Sequence, residues 1–366
     1  MSWARAGHEV PGPGRMRRVE DWQHVWSIRA DRSWDAFTLR CLRGSGSRLR
    51  VTEPGRRSRV AAWPLSQALW AASTLQAAHA AAGTAPAHPD LELLWGTLDW
   101  YRHGQAYVDH RPRGKRYYDD NAWLGLVAAQ QALLSDGPAA QRWWARASQL
   151  ARFVAEGNID DGSVCWVEGG DTRNACSTGS GALLYQAIAE AAPGLAPTDR
   201  EYFAAAAAGG GTFLCGPLMR NDGLVADHIR ADGSVEPSVW AYNQALLLQL
   251  ASRAGDVECA DGIIAAVRTG MTDDVLAKQP AVFVCIWWRA LLAHHGRQLQ
   301  AQDSEGIAEV PEVAQYLQRA WDTGRDESGL FTQVSRYDEC IVLDHASVTG
   351  LMAAYAAGPE CWPSLL

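Results

Sequence analysis

From Trp63 onward the chain reads as helical runs rich in Ala and Leu, separated by linkers rich in Gly, Asp and Pro, and strand-like alternation is scarce. One set of runs begins near residues 64, 120, 175, 241, 281 and 343 and is apolar nearly all round, as in Ala175–Ala192 and Ala241–Ala251. A second set, near 90–103, 140–156, 198–215, 257–270 and 310–322 with one more around 16–30, carries charged faces, as in Gln141–Glu156. A helix that is apolar on every side must be buried, and an amphipathic one can cover it. Six such pairs, repeating every 40 to 65 residues or so, predict an all-α (α/α)6 barrel of about twelve helices with the apolar set inside. Gly179, Gly181, Ala182 and Ala245 would let inner helices approach closely. Residues 1–62 are expected to hold the first outer helix and a basic Gly/Ser turn at Gly44–Ser47, and 63–366 the barrel, the two forming one domain. The run Ala204–Gly211 reads as an outer helix fraying at its end.

Composition narrows the function. At 48% hydrophobic and 20% charged residues, the 366-residue chain is globular, and its net charge of -8 opposes general nucleic-acid binding. The Arg-rich stretch Arg43–Arg59 is a local exception, read as a solvated loop. Seventeen tryptophans exceed what one core needs, so some are expected to line a cleft. Met1–Trp22 has no apolar h-region or membrane span, and the eight cysteines are single, with no metal-ligand spacing. These features lead to the expectation of a cytoplasmic protein with reduced thiols, no cofactor, no metal and no membrane partner. The histidines form no metal set, and His294–His295 is read as a helix end.

The chemistry concentrates where apolar runs begin. Tyr117-Tyr118-Asp119-Asp120-Asn121-Ala122-Trp123 sets two adjacent carboxylates among aromatic rings and an amide. Paired carboxylates are the minimum equipment for cleaving a glycosidic bond, and flat rings can stack against a sugar. On a regular helix neighbours point about 100° apart, so Asp119 is expected to keep non-helical torsions while Asp120 opens the first turn. Two carboxylates in one site push one pKa upward, leaving one anion and one acid. A second cluster joins Trp166 and Glu168 to Asn174 and Ser177, whose amide and hydroxyl suit sugar hydroxyls. A third runs from Asp222 through Asp227-His228 to Trp240, Tyr242, Asn243 and Gln244, with Asp and Gly spacing unlike a calcium loop. Phe283 with Trp287-Trp288 reads as core, and Asp344, beside His345, as a cap.

Read in order, YYDDNAW, RNACSTG, DGLVADH and WAYNQALL resemble glycoside hydrolase family 76, the endo-α-1,6-mannanases, over roughly Trp63 to Ala357. Gly329-Leu330-Phe331 and Leu343–Ser347 are similar to the family's closing segment, while Cys165 and Cys176 depart from it. The resemblance implies an (α/α)6 barrel that hydrolyses α-1,6-mannosidic linkages with retention and without a metal. It assigns Asp119 as nucleophile and Asp120 as general acid/base, their carboxyls about 5 to 5.5 Å apart. Substrate contacts are expected from Tyr117, Tyr118, Asn121, Trp123, Trp166, Asn174, Ser177, Asp227, Trp240, Tyr242, Asn243 and Gln244, and the partner is an α-linked mannooligosaccharide. Transglycosylation, another (α/α)6 chemistry such as sugar epimerisation or unsaturated-uronide hydrolysis, and a catalytically silent carbohydrate-binding barrel are the alternatives; an epimerase needs histidine bases at the cavity, and His345 alone stands at an inner-helix entrance.

Overall fold

The apolar runs form the inside of a closed ring and the amphipathic ones its outside. The structure, a computed structural model, describes residues 19–84, 91–302, 310–334 and 340–366. In chain order these form α1 (Val19–Cys41), α2 (Ala62–Ala81), α3 (Leu91–Trp95), α4 (Tyr118–Leu133), α5 (Gly137–Ala155), α6 (Ala175–Ala191), α7 (Pro197–Cys215), α8 (Ala241–Ala254), α9 (Val257–Gly270), α10 (Asp273–Leu276), α11 (Ala281–Gln302), α12 (Pro311–Thr323) and α13 (Ile341–Ala357). Helices α2, α4, α6, α8, α11 and α13 each pack on the next, and α13 returns to α2, which closes the toroid. The expected inner starts fall within two residues of the observed ones.

Close approach explains why these helices are built from small residues. A Cβ on Gly179 would stand 2.7 Å from Leu246 of α8, and one on Gly350 would stand 2.4 Å from Trp70 of α2. Neither contact survives a side chain. The outer helices α5, α7 and α9 lie on α4, α6 and α8, while α1 covers α13 and so supplies the sixth outer position. Every inner helix starts at the same end of the ring, and the hairpins before α2, α4, α6 and α8 crowd that end.

Four expectations change. The helix expected over 90–103 is the short α3 followed by a 3-10 stretch, Gly96–Trp100, and an antiparallel pair, Arg102–His103 with Ala106–Tyr107; residue 90 lies outside the described residues. Residues 16–18 of the first outer helix also lie outside them, and α1 runs on to Cys41. Ala204–Gly211 is not a frayed end: α7 continues to Cys215, and Gly210 sits where a Cβ would meet Ala182 of α6 at 2.7 Å. His294 and His295 lie inside α11, and burial lowers both pKa values, so neither is a charged helix end. Burial also explains the tryptophans: eleven of the sixteen described are core, among them Trp287 and Trp288. Trp63, Trp166 and Trp240 keep partial exposure at the ends where α2, α4, α6 and α8 begin.

Candidate active site

Both aspartates sit in the first turn of α4. Tyr117, with φ −88° and ψ 136°, is the last non-helical residue, so Asp119 is helical like Asp120 and does not cap. What joins the pair is their place at the mouth. Both carboxyls are half-buried. Oδ1 of Asp119 accepts the Asp120 backbone N–H at 3.0 Å, and Oδ2 accepts Trp166 Nε1–H at 3.1 Å and the Cys176 thiol at 3.3 Å. Among the described residues no group donates to the Asp120 carboxyl.

Those surroundings set different proton affinities. Burial raises Asp119 to about 6, held there against further rise by the Cys176, Trp166 and backbone donors. Asp120 is driven well above the usual carboxylate range by burial and by repulsion from Asp119 and Asp109. The pair titrates as a unit with one proton readily retained, and donors favour the anion on Asp119.

Backbone pairing delivers the partners. The loop 157–173 docks on the start of α4 through Tyr118 N–H to Trp166 O at 2.9 Å and Glu168 N–H to Arg116 O at 3.1 Å. That seats the Trp166 indole on Asp119 with its ring 5.0 Å from Tyr117 and 41% exposed. A three-stranded antiparallel sheet of Arg173–Asn174, His228–Ile229 and Val235–Glu236 then brings Asp227 beside α6, where its carbonyl accepts Ala175 N–H at 2.8 Å. Asp227 in turn holds His228 Nδ1 at 2.9 Å and Asn243 Nδ2 at 3.3 Å.

Register separates the residues that reach the mouth from those that hold it. The second residues of α4, α6 and α8 are Asp119, Cys176 and Tyr242, and they form a chain in which the Tyr242 hydroxyl meets Cys176 and Cys176 meets Asp119. Burial and the neighbouring Asp119 and Asp227 keep the Cys176 thiol protonated, so it remains a donor. The fourth residues, Asn121, Thr178 and Gln244, point back to the preceding loop. Asn121 clamps the N–H and C=O of Tyr107 at 2.9 and 3.0 Å, Thr178 takes Val164 N–H at 2.9 Å, and Gln244 clamps both backbone groups of Val225 at 2.7 and 2.9 Å.

Several expected contacts are therefore occupied elsewhere. Asn121 and Gln244 are fully buried clamps, and the Ser177 hydroxyl donates to Val164 O at 2.8 Å. Tyr118 turns outward, stacking on Phe153 of α5 at 5.0 Å. Trp123 lies deeper, buried 5.5 Å from Trp63 and 5.3 Å from the Arg289 guanidinium. Asn174 and Asn243 are buried with an Oδ1 that finds no partner among the described residues. Trp240 is half-buried against Phe283 at 5.5 Å, and Phe283 stacks on Tyr242 at 4.0 Å, so Phe283 supports the site although its spacing reads as core. Cys176 and Asp109 escaped sequence reasoning; the position of Cys176, second in its helix like Asp119, is the signal that could have found it. At the start of α13 Glu53 accepts Val342 N–H at 3.3 Å, and Asp344 lies within the first helical turn, the cap position being Cys340. The larger surface cavities, about 820 Å³ beside α7 and α9 and about 490 Å³ between residues 158–162 and α7, are lined by none of these residues.

Residues 91–253 match the family described as Glycosyl hydrolase family 76. Among solved structures, a family 76 mannosidase from Bacteroides thetaiotaomicron superposes with a TM-score of 0.72 at 16% identity, covering 91% of this chain and 98% of that one. The α-1,6-mannanase of a Salegentibacter species gives 0.71 at 17% identity, covering 91% and 100%. An inactive variant of that mannanase, with two consecutive aspartates changed to asparagine and α-1,6-mannotriose bound, matches equally, at 0.71 and 17% identity over 91% and 100%. No curated protein matches. The matched segment spans both carboxylates and the Trp166, Asp227 and Tyr242 groups around them, and the barrel shared with the family 76 structures extends the likeness to 91% of the chain.

Proposed function

We propose that the chain is a retaining hydrolase of α-1,6-mannosidic linkages, with Asp119 as nucleophile and Asp120 as general acid/base. The observation that carries the reading is the unequal setting of two adjacent acids. Asp119 accepts three hydrogen bonds that favour its anion, whereas Asp120 accepts none among the described residues and faces two other carboxylates. A nucleophile must start ionised and a general acid must start protonated.

In the first step Asp120 gives its proton to the glycosidic oxygen while the Asp119 carboxylate attacks the anomeric carbon, forming a mannosyl ester and releasing the leaving alcohol. In the second, the Asp120 carboxylate takes a proton from water, whose oxygen displaces Asp119. The exposed Trp166 ring, fixed through its N–H, offers a flat face beside the reacting carbon, and Tyr117 extends it. The mannotriose bound to the inactive Salegentibacter enzyme supports the choice of sugar and linkage.

The test is NMR detection of the first-formed product from linkage-defined mannooligosaccharides. Release of the α-anomer from α-1,6-linked substrate, lost in Asp119→Asn and Asp120→Asn, is the expected result. A β-product, or turnover that survives both substitutions, overturns the assignment.

A further inference from the structure

The net charge hides an uneven distribution. Residues 42–60 and 102–116 together hold eleven Arg and Lys against two acids, Glu53 and Asp109, which leaves 22 basic against 39 acidic residues in the rest of the chain. One of these segments leads into α2 and the other into α4, so both lie at the end of the ring where the site opens. They are also joined through the residues that flank them. The Tyr101 hydroxyl donates to Val60 O, the Arg59 guanidinium covers the Trp100 ring at 5.1 Å, and Asp109 O accepts the Ala62 N–H at 2.8 Å.

Neither acid neutralises the strip. Glu53 turns toward α13, accepting the Cys340 thiol at 2.9 Å, and Asp109 holds the Lys115 backbone N–H at 2.7 Å and His110 at 2.7 Å. Arg48, Arg56, Arg57, Arg113 and Lys115 are exposed and form no ion pair or side-chain hydrogen bond among the described residues. Five free cations beside a mouth, on a surface otherwise strongly acidic, make a local positive field that reaches about 8 to 10 Å at ordinary salt.

We propose that this strip binds a phosphate group carried by the substrate, so that the enzyme acts preferentially on phosphate-bearing α-mannosides. The inference rests on the reading of the site as a mannosidase. Guanidinium groups meet phosphate oxygens in paired hydrogen bonds, and a compact anion fits a strip bounded by acidic surface better than a long polyanion does. A membrane-binding segment would show apolar anchors, yet within residues 42–60 and 100–116 the exposed large apolar side chain is Trp100, and Arg59 lies over it.

The experiment compares kcat/KM for α-1,6-mannotetraose with and without a phosphate monoester, using the full chain. The phosphorylated substrate should lead by about tenfold at about 20 mM salt and by less than about twofold at about 0.5 M, as screening requires. In Arg48→Glu/Arg56→Glu/Arg57→Glu the ratio should fall to one or below; both substrates are read on the same preparation, so a general loss of folding or rate cancels. The corresponding Arg→Gln triple variant serves if charge reversal prevents folding. Calorimetry of the phosphorylated tetrasaccharide on Asp119→Asn/Asp120→Asn protein reads the strip without turnover, and so separates failure of this proposal from failure of the catalytic one. A ratio near one in the unmodified protein, a ratio indifferent to the arginines, or tighter binding to single-stranded RNA or to phosphatidylglycerol vesicles overturns it.

Discussion

The entrances of α4 and α13 show how one physical effect serves opposite ends. Each places a titratable side chain in the opening turns of an inner helix, and burial pushes each toward its neutral form. At α13 the loop in front and helix α1 together occupy both ring nitrogens: His345 Nδ1 accepts Phe331 N–H at 3.0 Å, Nε2–H donates to Ser33 O of α1 at 2.9 Å, and the ring is fully buried with its pKa lowered to about 4. It is a neutral clamp with no lone pair left for chemistry. At α4 the clamping falls to Asn121, one residue beyond Asp120, which frees both carboxylates to face the mouth. A polar residue at the start of an inner helix is available to substrate only where another one holds the loop.

Asp119→Asn should separate the two entrances most strongly. Hydrolysis is expected to fall by on the order of 10⁴-fold or more, as for removal of a nucleophile. Stability should move the other way. The folded pKa of Asp119, about 6, lies above the unfolded carboxylate value. Its burial therefore favours the protonated state: the benefit is full below about pH 4 and is lost as pH rises through about 6. At pH 7 the amide removes a buried charge, and urea denaturation should show the variant at least as stable as the parent. Equal losses of activity and stability would make Asp119 another structural residue.

His345→Ala is the converse case. It strands a buried N–H and a buried C=O and leaves a cavity, at a cost of about 2 to 4 kcal/mol. Activity per folded molecule should change by less than about twofold. The parent should also lose stability as pH falls from about 6.5 toward 4, because the unfolded imidazole takes up a proton that the folded one resists. That slope should flatten in the variant.

The same contrast explains what the sequence could disclose. The ring was legible because its signal is repeated six times: uniformly apolar runs such as Ala241–Ala251 have no other stable place than inside. The aspartate pair was legible because two acids among aromatics serve no packing need. The surrounding contacts were not. Asn121, Ser177 and Gln244 are chemically suited to sugar hydroxyls and equally suited to backbone, and only the path of the segments before α4, α6 and α8, whose backbone returns to these side chains from 14, 13 and 19 residues upstream, decides between the two. Cys176 was hidden for the opposite reason, since a thiol in an apolar helix looks like core until its neighbour across the ring is known.

Trp166→Phe tests whether the indole N–H, rather than the ring alone, sets the proton affinity of Asp119. The phenyl ring keeps a stacking face but removes one donor from Asp119, so the proton on the pair is held more tightly. The acid limb of kcat/KM, which lies near 6 when the pair governs it, should move up by about half a unit, with about a threefold loss of kcat/KM below pH 6 and a smaller one above. A uniform loss at every pH would assign Trp166 to packing.

Cys176→Ala is the finest cut. It removes the Sγ–H donor at 3.3 Å and interrupts the chain from Tyr242, while the thiol itself never ionises because burial and two nearby aspartates hold its proton. Thiol donors are weak, so the acid limb should rise by only a few tenths of a unit and kcat should fall by about two- to fivefold. Cys176→Ser, which restores a hydroxyl donor of similar reach, should return the limb toward its original position. If the serine and alanine variants share one pH profile, the contact between Cys176 and Asp119 contributes packing only, and the unequal setting of the two aspartates must rest on Trp166 and the Asp120 backbone N–H.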